Sequence, residues 1–330
     1  MNIEQIYQPI ADDLKKMERL LEISVKESKY PSIRQMSNSL LESGGKRLRP
    51  ALVILSEKAA SAGKNCNCDE DRLIQLATAM ELIHMASLIH DDVLDGATMR
   101  HSKPSINAKL GDDVSIVFGD YIYSKAFELI GKCRNSDVFE CICQAIHVMC
   151  EGELIQICQR DNLDLSKDNY IAIAKKKTAS LFAACCHVGT IIGNHSQTVQ
   201  ITLKEFGLNF GIAFQIIDDC KDITNEERIL GKHPCQDIIA GDMTLPLLNL
   251  LDVVDHVERQ KIKSTFASKT NQTNFKKIRK TFINSEALSL TQKTYLSYID
   301  RARQRLDELE SSDYKRSLNC LTDYITQTTF

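Results

Sequence analysis

The stretch 81-ELIHMASLIHDDVLD-95 reads as an apolar helix that ends in three carboxylates. At about 100° per residue, His84, Asp91 and Asp95 fall within roughly 40° of one another, with Leu88 and Ser87 beside them. A second stretch, 217-IDDCKD-222, repeats the spelling. There Asp218 and Asp222 stack one turn apart, with Gly211, Phe214 and Gln215 on the same side. Both clusters have the form D-D-x-x-D. Acidic residues favour the N-terminal ends of helices, yet these follow long apolar runs, where the dipole disfavours them by about 0.3 to 1 kcal/mol each. A compensating cation is expected. Carboxylates at i and i+4 share hard cations, and Mg²⁺ favours one or two carboxylates, several waters and substrate phosphates. Two such clusters facing each other would hold a di- or triphosphate through metal bridges.

Outward from these motifs, apolar residues recur at helical spacing, as at Ile6, Ile10, Leu14, Met17 and Leu21, and strand-like alternation is scarce. With 14 Gly and 6 Pro in 330 residues, turn-formers are too few for a many-stranded sandwich or barrel. The fold class expected is all-α. Breaks fall at 29–32, 43–50, 61–69, 96–112, 132–137, 193–198 and 225–241, leaving two unusually long helices at about 69–95 and 198–222. No linker, low-complexity tract or fixed-period repeat appears, so residues 1–330 read as a single helical domain.

Composition narrows the function. A chain that is 43% apolar and 26% charged is globular. Its 41 basic against 44 acidic residues give a net charge of −3, and aromatics make up 6% without any Trp, a poor match for nucleic-acid binding. No run approaches the roughly 18 uninterrupted apolar residues of a membrane span, and the start resembles neither a secretory signal nor a transit peptide. A cytoplasmic location is expected. Most of the 12 cysteines sit in apolar helical patterns, as at Cys185 and Cys186, and read as reduced thiols. Cys66 and Cys68 lack a second ligand pair at zinc-finger spacing and read as a polar loop. Positive charge is concentrated locally. The glycine-hinged turn 43-SGGKRLRP-50 presents Lys46, Arg47 and Arg49; Arg100, His101 and Lys103 follow the first motif; Lys175, Lys176 and Lys177 precede Thr178. In a slightly acidic protein, such runs beside paired metal motifs point to an anion site.

These residues resemble the trans-polyprenyl diphosphate synthases, chain-elongating prenyltransferases with the isoprenoid synthase fold, a helical bundle around a central apolar cavity. GGKRLRP, ELIHMASLIHDDVLD, GDYIYSKAFELI, GELIQ, KTASLF, FGIAFQIIDDCKD and GKHPCQDIIAGDMTLPLL each look like a family block, in order, over about 41–250. The resemblance implies that Lys46, Arg49, His84 and the position of His101 serve the diphosphate of isopentenyl diphosphate. Arg100, Lys177, Thr178, Gln215 and Lys232 match allylic-site positions, and Phe214 is a further substrate-binding position. Asp91, Asp92 and Asp95, with Asp218, Asp219 and Asp222, match metal-binding positions, Mg²⁺ being the expected ion and Mn²⁺ its substitute. Asp91, Asp95, Asp218 and Lys177 would carry catalysis. Metal and cationic side chains would stabilise departing pyrophosphate, the isopentenyl double bond would attack the allylic cation, and a proton would leave the adduct.

Three positions depart from the family pattern. His101 stands where Arg is common, Asp242 where Lys is common, and ITQTTF closes a chain that often ends in Arg. Relatives with short products often carry an aromatic residue five positions before the first motif. Here that position is Ala86, followed by Ser87, so growth is expected to pass this level and Ile83 beyond it, giving a product longer than the twenty-carbon class, of the heptaprenyl or octaprenyl kind used for quinone side chains. The alternatives are a geranylgeranyl or farnesyl diphosphate synthase, or a non-catalytic regulatory subunit of a heteromeric prenyltransferase. All six aspartates argue against the last. A terpene cyclase would have no use for the second diphosphate site that GGKRLRP and His84 imply. The expected partners are isopentenyl diphosphate and an allylic diphosphate, a second copy of the chain or a heteromeric partner, and at most a peripheral membrane contact for product release.

Overall fold

A computed structural model describes residues 1–42, 44–62, 68–100, 103–224, 235–268 and 272–327. Its only strands among the described residues are Met99–Arg100 and Lys103–Pro104, antiparallel, with Arg100 opposite Lys103. The other regular elements among the described residues are helical, as the 3.6-residue periodicity predicts. The chain divides into two compact units. One comprises residues 1–143, 184–204 and 305–321, and the other 144–183, 205–304 and 322–330.

The core helix of the first unit is Glu70–Leu94, close to the expected 69–95. Asp69 begins it, its carboxylate accepting from the backbone N–H groups of Asp71 and Arg72 at 3.1 and 3.3 Å, which satisfies two donors that the first turn leaves open. The helix is apolar on every side, as a helix surrounded by neighbours must be. Leu76, Ala77, Met80, Ile83 and Ala86 have no exposed surface. Burial of each large side chain contributes about 1.5 to 3 kcal/mol. This helix is long and apolar enough to cross a membrane, but 72% of its most apolar window is buried in the protein, the signature of a core helix. Helices Ala11–Lys26, Leu48–Ala60 and Asp112–Lys132 pack along it. The first of these buries Met17 and Leu21, two residues of the N-terminal apolar stripe.

In the second unit the C-terminal part of Gln197–Thr224, the other long helix, carries Phe206, Phe210 and Phe214. Phe182 packs against Phe210 and Phe214 with ring centroids 5.5 and 5.2 Å apart. The helix Lys167–Ala174 widens into a π turn over Lys175–Ala179 before Ser180–Ile192 resumes the α-helix. Such turns recur at functional sites because they re-aim side chains. The described cysteines are free, Cys185 and Cys186 being fully buried. Burial pushes the Cys186 thiol up to about 12, which leaves it protonated and inert. Cys66 lies outside the described residues, and Cys68 is half-buried.

Candidate active site

The first motif closes the core helix. Asp91 is half-buried and Asp95 exposed, one turn apart, with the Asp95 N–H donating to the Asp91 carbonyl at 2.9 Å. Asp92 lies about 100° around the helix from Asp91 and faces inward, 5% exposed. Arg100 takes its carboxylate: Nε donates to both oxygens at 2.9 Å, and Nη2 donates to Oδ1 at 2.7 Å. Local chain chemistry brings Arg100 there. Gly96 adopts φ +59° just past the helix, the Ala97 N–H donates to the Asp92 carbonyl at 2.9 Å, and Asn107 Nδ2 donates to the same oxygen at 3.1 Å. Burial alone would lower the pKa of Arg100, but its bonds to Asp92 and the charges of Asp91 and Asp95 outweigh it and move the guanidinium upward. Lys103 donates to the Glu42 carbonyl at 2.9 Å, and His101 lies outside the described residues.

The basic turn belongs to the same unit. Lys46 is exposed and Arg49 half-buried. Arg47, expected beside them as a third cation facing the anion, turns inward instead, with Nε 2.6 Å from Glu18 and Nη1 2.9 Å from Glu81. Burial pulls the Arg49 guanidinium down, opposed by Cys185, Glu81 and Asp91. Asp91 is therefore within electrostatic reach of both Arg49 and Arg100. His84 is half-buried, and its carbonyl accepts from Ser87 Oγ at 2.8 Å. Behind it Ile83 and Ala86 are fully buried.

The second motif lies in the other unit. Asp218 is exposed, while Asp219 and Asp222 are 5% and 3% exposed. Asp219 accepts from Tyr170 Oη on one oxygen and from Gln215 Nε2, at 2.6 Å, on the other. Thr178 Oγ1 in turn donates to Gln215 Oε1 at 2.6 Å. Burial raises the pKa of Asp219 first of all, and its two donors only partly offset that, with Asp218 and Asp222 adding to the rise. The side chain of Asp222 accepts from the Asp237 N–H at 3.2 Å. Lys177 leaves the π turn to pair with Glu153 at 2.5 Å. Gly152 lets these backbones approach, since a Cβ there would stand 2.4 Å from the Lys177 nitrogen. A small cavity is lined by Tyr170, Lys177, Thr178, Gln215, Asp219 and Asp242 among others. Asp242, which stands where the family commonly has Lys, is held by two neighbours: Gln156 Nε2 donates to it at 2.6 Å and Arg160 stands 3.5 Å away. Phe214 is half-buried within the aromatic cluster. Lys232 and the terminal TTF lie outside the described residues.

Among the described residues no three His, Cys, Asp or Glu side chains converge as a ready-made metal cage. Mg²⁺ is commonly held by one or two carboxylates and completes its shell with water and phosphate oxygens. The donor chemistry at Asp91 and Asp95, hard oxygens one turn apart, fits such an ion. Tyr170 and Glu81 were not singled out from the sequence. Tyr170 stands seven residues before Lys177, two turns along a helix, which is the signal that could have found it.

Residues 30–282 match the family model described as polyprenyl synthetase. The chain belongs to that family. Among similar polyprenyl synthetases, heptaprenyl diphosphate synthase component 2 of Bacillus subtilis (strain 168) is 32% identical over 330 residues, covering 100% of this chain and 92% of that one. Octaprenyl diphosphate synthase of Escherichia coli (strain K12) is 32% identical over 76% of each chain. In structure, the polyprenyl synthase of Caulobacter crescentus CB15, crystallised with calcium and isoprenyl diphosphate, superposes with a TM-score of 0.94 at 29% identity, covering 100% of this chain and 98% of that one. The fold is the all-α isoprenoid synthase fold, and the protein is a prenyl diphosphate synthase, a transferase of prenyl groups.

Proposed function

We propose that this polyprenyl synthetase is a long-chain enzyme of the heptaprenyl or octaprenyl type, adding isopentenyl diphosphate to an allylic diphosphate and releasing pyrophosphate. The observation that carries the chain-length reading is the fully buried methyl of Ala86, five positions before Asp91, above the equally buried Ile83. Neither supplies an aromatic floor on this face of the core helix. The heptaprenyl and octaprenyl names of similar proteins support the same reading.

In this reading Lys46, Arg49 and His84 bind the isopentenyl diphosphate, while Arg100, Lys177, Thr178 and Gln215 serve the allylic diphosphate. The outer aspartates, Asp91 and Asp95 in one unit and Asp218 and Asp222 in the other, hold Mg²⁺, with Mn²⁺ as a substitute. Bound metal would neutralise charge on the departing pyrophosphate. As the allylic carbon–oxygen bond breaks, the cationic side chains oppose the negative charge gathering on the leaving oxygens, a new carbon–carbon bond forms from the isopentenyl double bond, and the adduct loses a proton. Apolar residues such as Ile83 and Ala86 keep water from the allylic cation. Asp92 also orients Arg100, and Asp219 orients Gln215.

Assembly with a second copy of the chain is favoured by the exposed apolar side chains of Ile116, Val117 and Phe127 on Asp112–Lys132, with Val117 67% exposed. Free thiols among the described cysteines suit the reducing cytoplasm. Radiolabelled isopentenyl diphosphate with several allylic starters and Mg²⁺, followed by chain-length separation, tests the function. Products beyond twenty carbons are expected, and Ala86→Phe should shorten them without abolishing condensation. Wild-type products of fifteen or twenty carbons would favour a farnesyl or geranylgeranyl diphosphate synthase. Activity only on addition of a second protein would favour the heteromer suggested by a relative called component 2.

A further inference from the structure

A turn with Lys46, Arg47 and Arg49 in four residues concentrates positive charge that would drive it open, yet the chain holds it closed. Arg47 adopts a left-handed backbone, φ +52°, which a residue with a side chain keeps only when its surroundings enforce it. The enforcing contacts are present. Arg47 Nε donates to Glu18 Oε1 at 2.6 Å, and Nη1 donates to Glu81 Oε1 at 2.9 Å. Nη1 also reaches the Gly44 carbonyl at 3.3 Å, closing the turn on itself. Gly45, at φ +148°, leaves room for this, since a Cβ there would stand 3.0 Å from Nη1. Tyr7 Oη donates to the Lys46 carbonyl at 2.9 Å.

Of the two carboxylates, Glu18 is 46% exposed and Glu81 only 4%. Glu81 sits in the core helix three residues before His84, on neighbouring turns of one face. We infer that Glu81 is the positioning residue of the isopentenyl diphosphate site, holding Arg47 so that Lys46 and Arg49 are presented in register with His84 on the same helix. The inference rests on the reading of Lys46 and Arg49 given above. A well-packed apolar pair could fill the space of a buried ion pair at equal or greater stability. What Glu81 and Arg47 add over such a pair is direction. The charge of Glu81 also reaches Arg49 and opposes the burial that pulls that guanidinium down.

Steady-state kinetics of the full chain test this with Glu81→Gln, the double variant Arg47→Met with Glu81→Met, and Lys46→Ala. Glu81→Gln should raise the isopentenyl diphosphate KM about tenfold, the scale of one charge-assisted contact. Its allylic KM should stay within about twofold of wild type. The double variant should match or exceed the wild-type melting temperature and still show the raised isopentenyl KM. A double variant that recovers both stability and a normal isopentenyl KM would reduce the pair to structural glue and overturn the inference, as would Glu81→Gln shifting both KM values equally or neither. Lys46→Ala separates the two possible failures. An unchanged isopentenyl KM in that variant overturns the assignment of the turn and the inference with it. A raised KM in Lys46→Ala beside a normal one in Glu81→Gln overturns the inference alone.

Discussion

The two D-D-x-x-D motifs are spelled alike and bury their middle aspartate to the same degree, Asp92 and Asp219 each being 5% exposed, yet they satisfy it by opposite means. Asp92 meets a full charge, the guanidinium of Arg100. Asp219 meets two neutral donors, Tyr170 and Gln215, and burial raises its pKa. A buried carboxylate must be paired with a cation or shift toward its neutral form, and the two middle aspartates take one solution each. The middle position is offset from the first by about 100° on the helix in both motifs. The motifs share their spelling and differ in what lies behind it, down to the last aspartate, which is exposed at Asp95 and 3% exposed at Asp222. The first stores a committed cation beside the helix end, and the second a hydrogen-bonded chain running from Thr178 through Gln215 to Asp219.

The sharpest test of the shared part is removal of an outer carboxylate. Asp91→Ala and Asp218→Ala should each lower turnover by about a thousandfold, the scale of losing a positioned electrostatic contact in the transition state. Helicity measured by circular dichroism should be unchanged, since neither side chain is in the core. Excess EDTA should abolish activity, and Mg²⁺ should restore it. Normal turnover in one variant beside collapse in the other would break the equivalence of the motifs, and full activity in EDTA would remove the metal from both.

The unshared part predicts a difference in stability. Asp92→Asn leaves Arg100 without its counter-charge and should cost about 3 kcal/mol, the low end for breaking a buried pair, because the Arg100 side chain is 31% exposed. Asp219→Asn keeps one acceptor oxygen for its neutral donors and should cost about 1 kcal/mol. Urea midpoints should therefore fall in the order wild type, Asp219→Asn, Asp92→Asn. The reverse order would mean that the second motif, and not the first, holds the ionised middle carboxylate.

What could be read in advance follows the range of each interaction. The all-α class and the extent of Glu70–Leu94 and Gln197–Thr224 were legible because apolar periodicity and the Asp69 cap are local. The outer aspartates and His84 were legible as a stripe for the same reason. The inward turn of Arg47 was not, since Glu81 lies 34 residues away and a basic run reads identically whichever way its side chains point. Nor was the Tyr170 hydroxyl as a partner of Asp219, 49 residues distant, whereas Gln215, four residues away on the same helix, is a local one. Asp92 and Asp219 were legible as motif positions, but their partners Arg100 and Tyr170 were not, since the spelling of the motif is blind to what packs behind it.

The smallest expected effect probes the hydrogen-bonded chain alone. Tyr170→Phe keeps the ring, which is 5% exposed, and deletes only the hydroxyl that donates to Asp219. The loss should cost about 1 kcal/mol of stability, as for one neutral donor withdrawn from a buried acceptor. Its kinetic signature should be selective. Asp219 retains Gln215, but a carboxyl held from one side fixes Gln215 less well, and Gln215 in turn positions Thr178 beside Lys177. The allylic KM should rise about two- to fivefold while the isopentenyl KM stays flat, because the basic turn proposed to serve isopentenyl diphosphate belongs to the other compact unit. A rise confined to the isopentenyl KM would show that the second motif's support reaches the wrong substrate, and the contrast between the two motifs would have to be redrawn around function instead of charge.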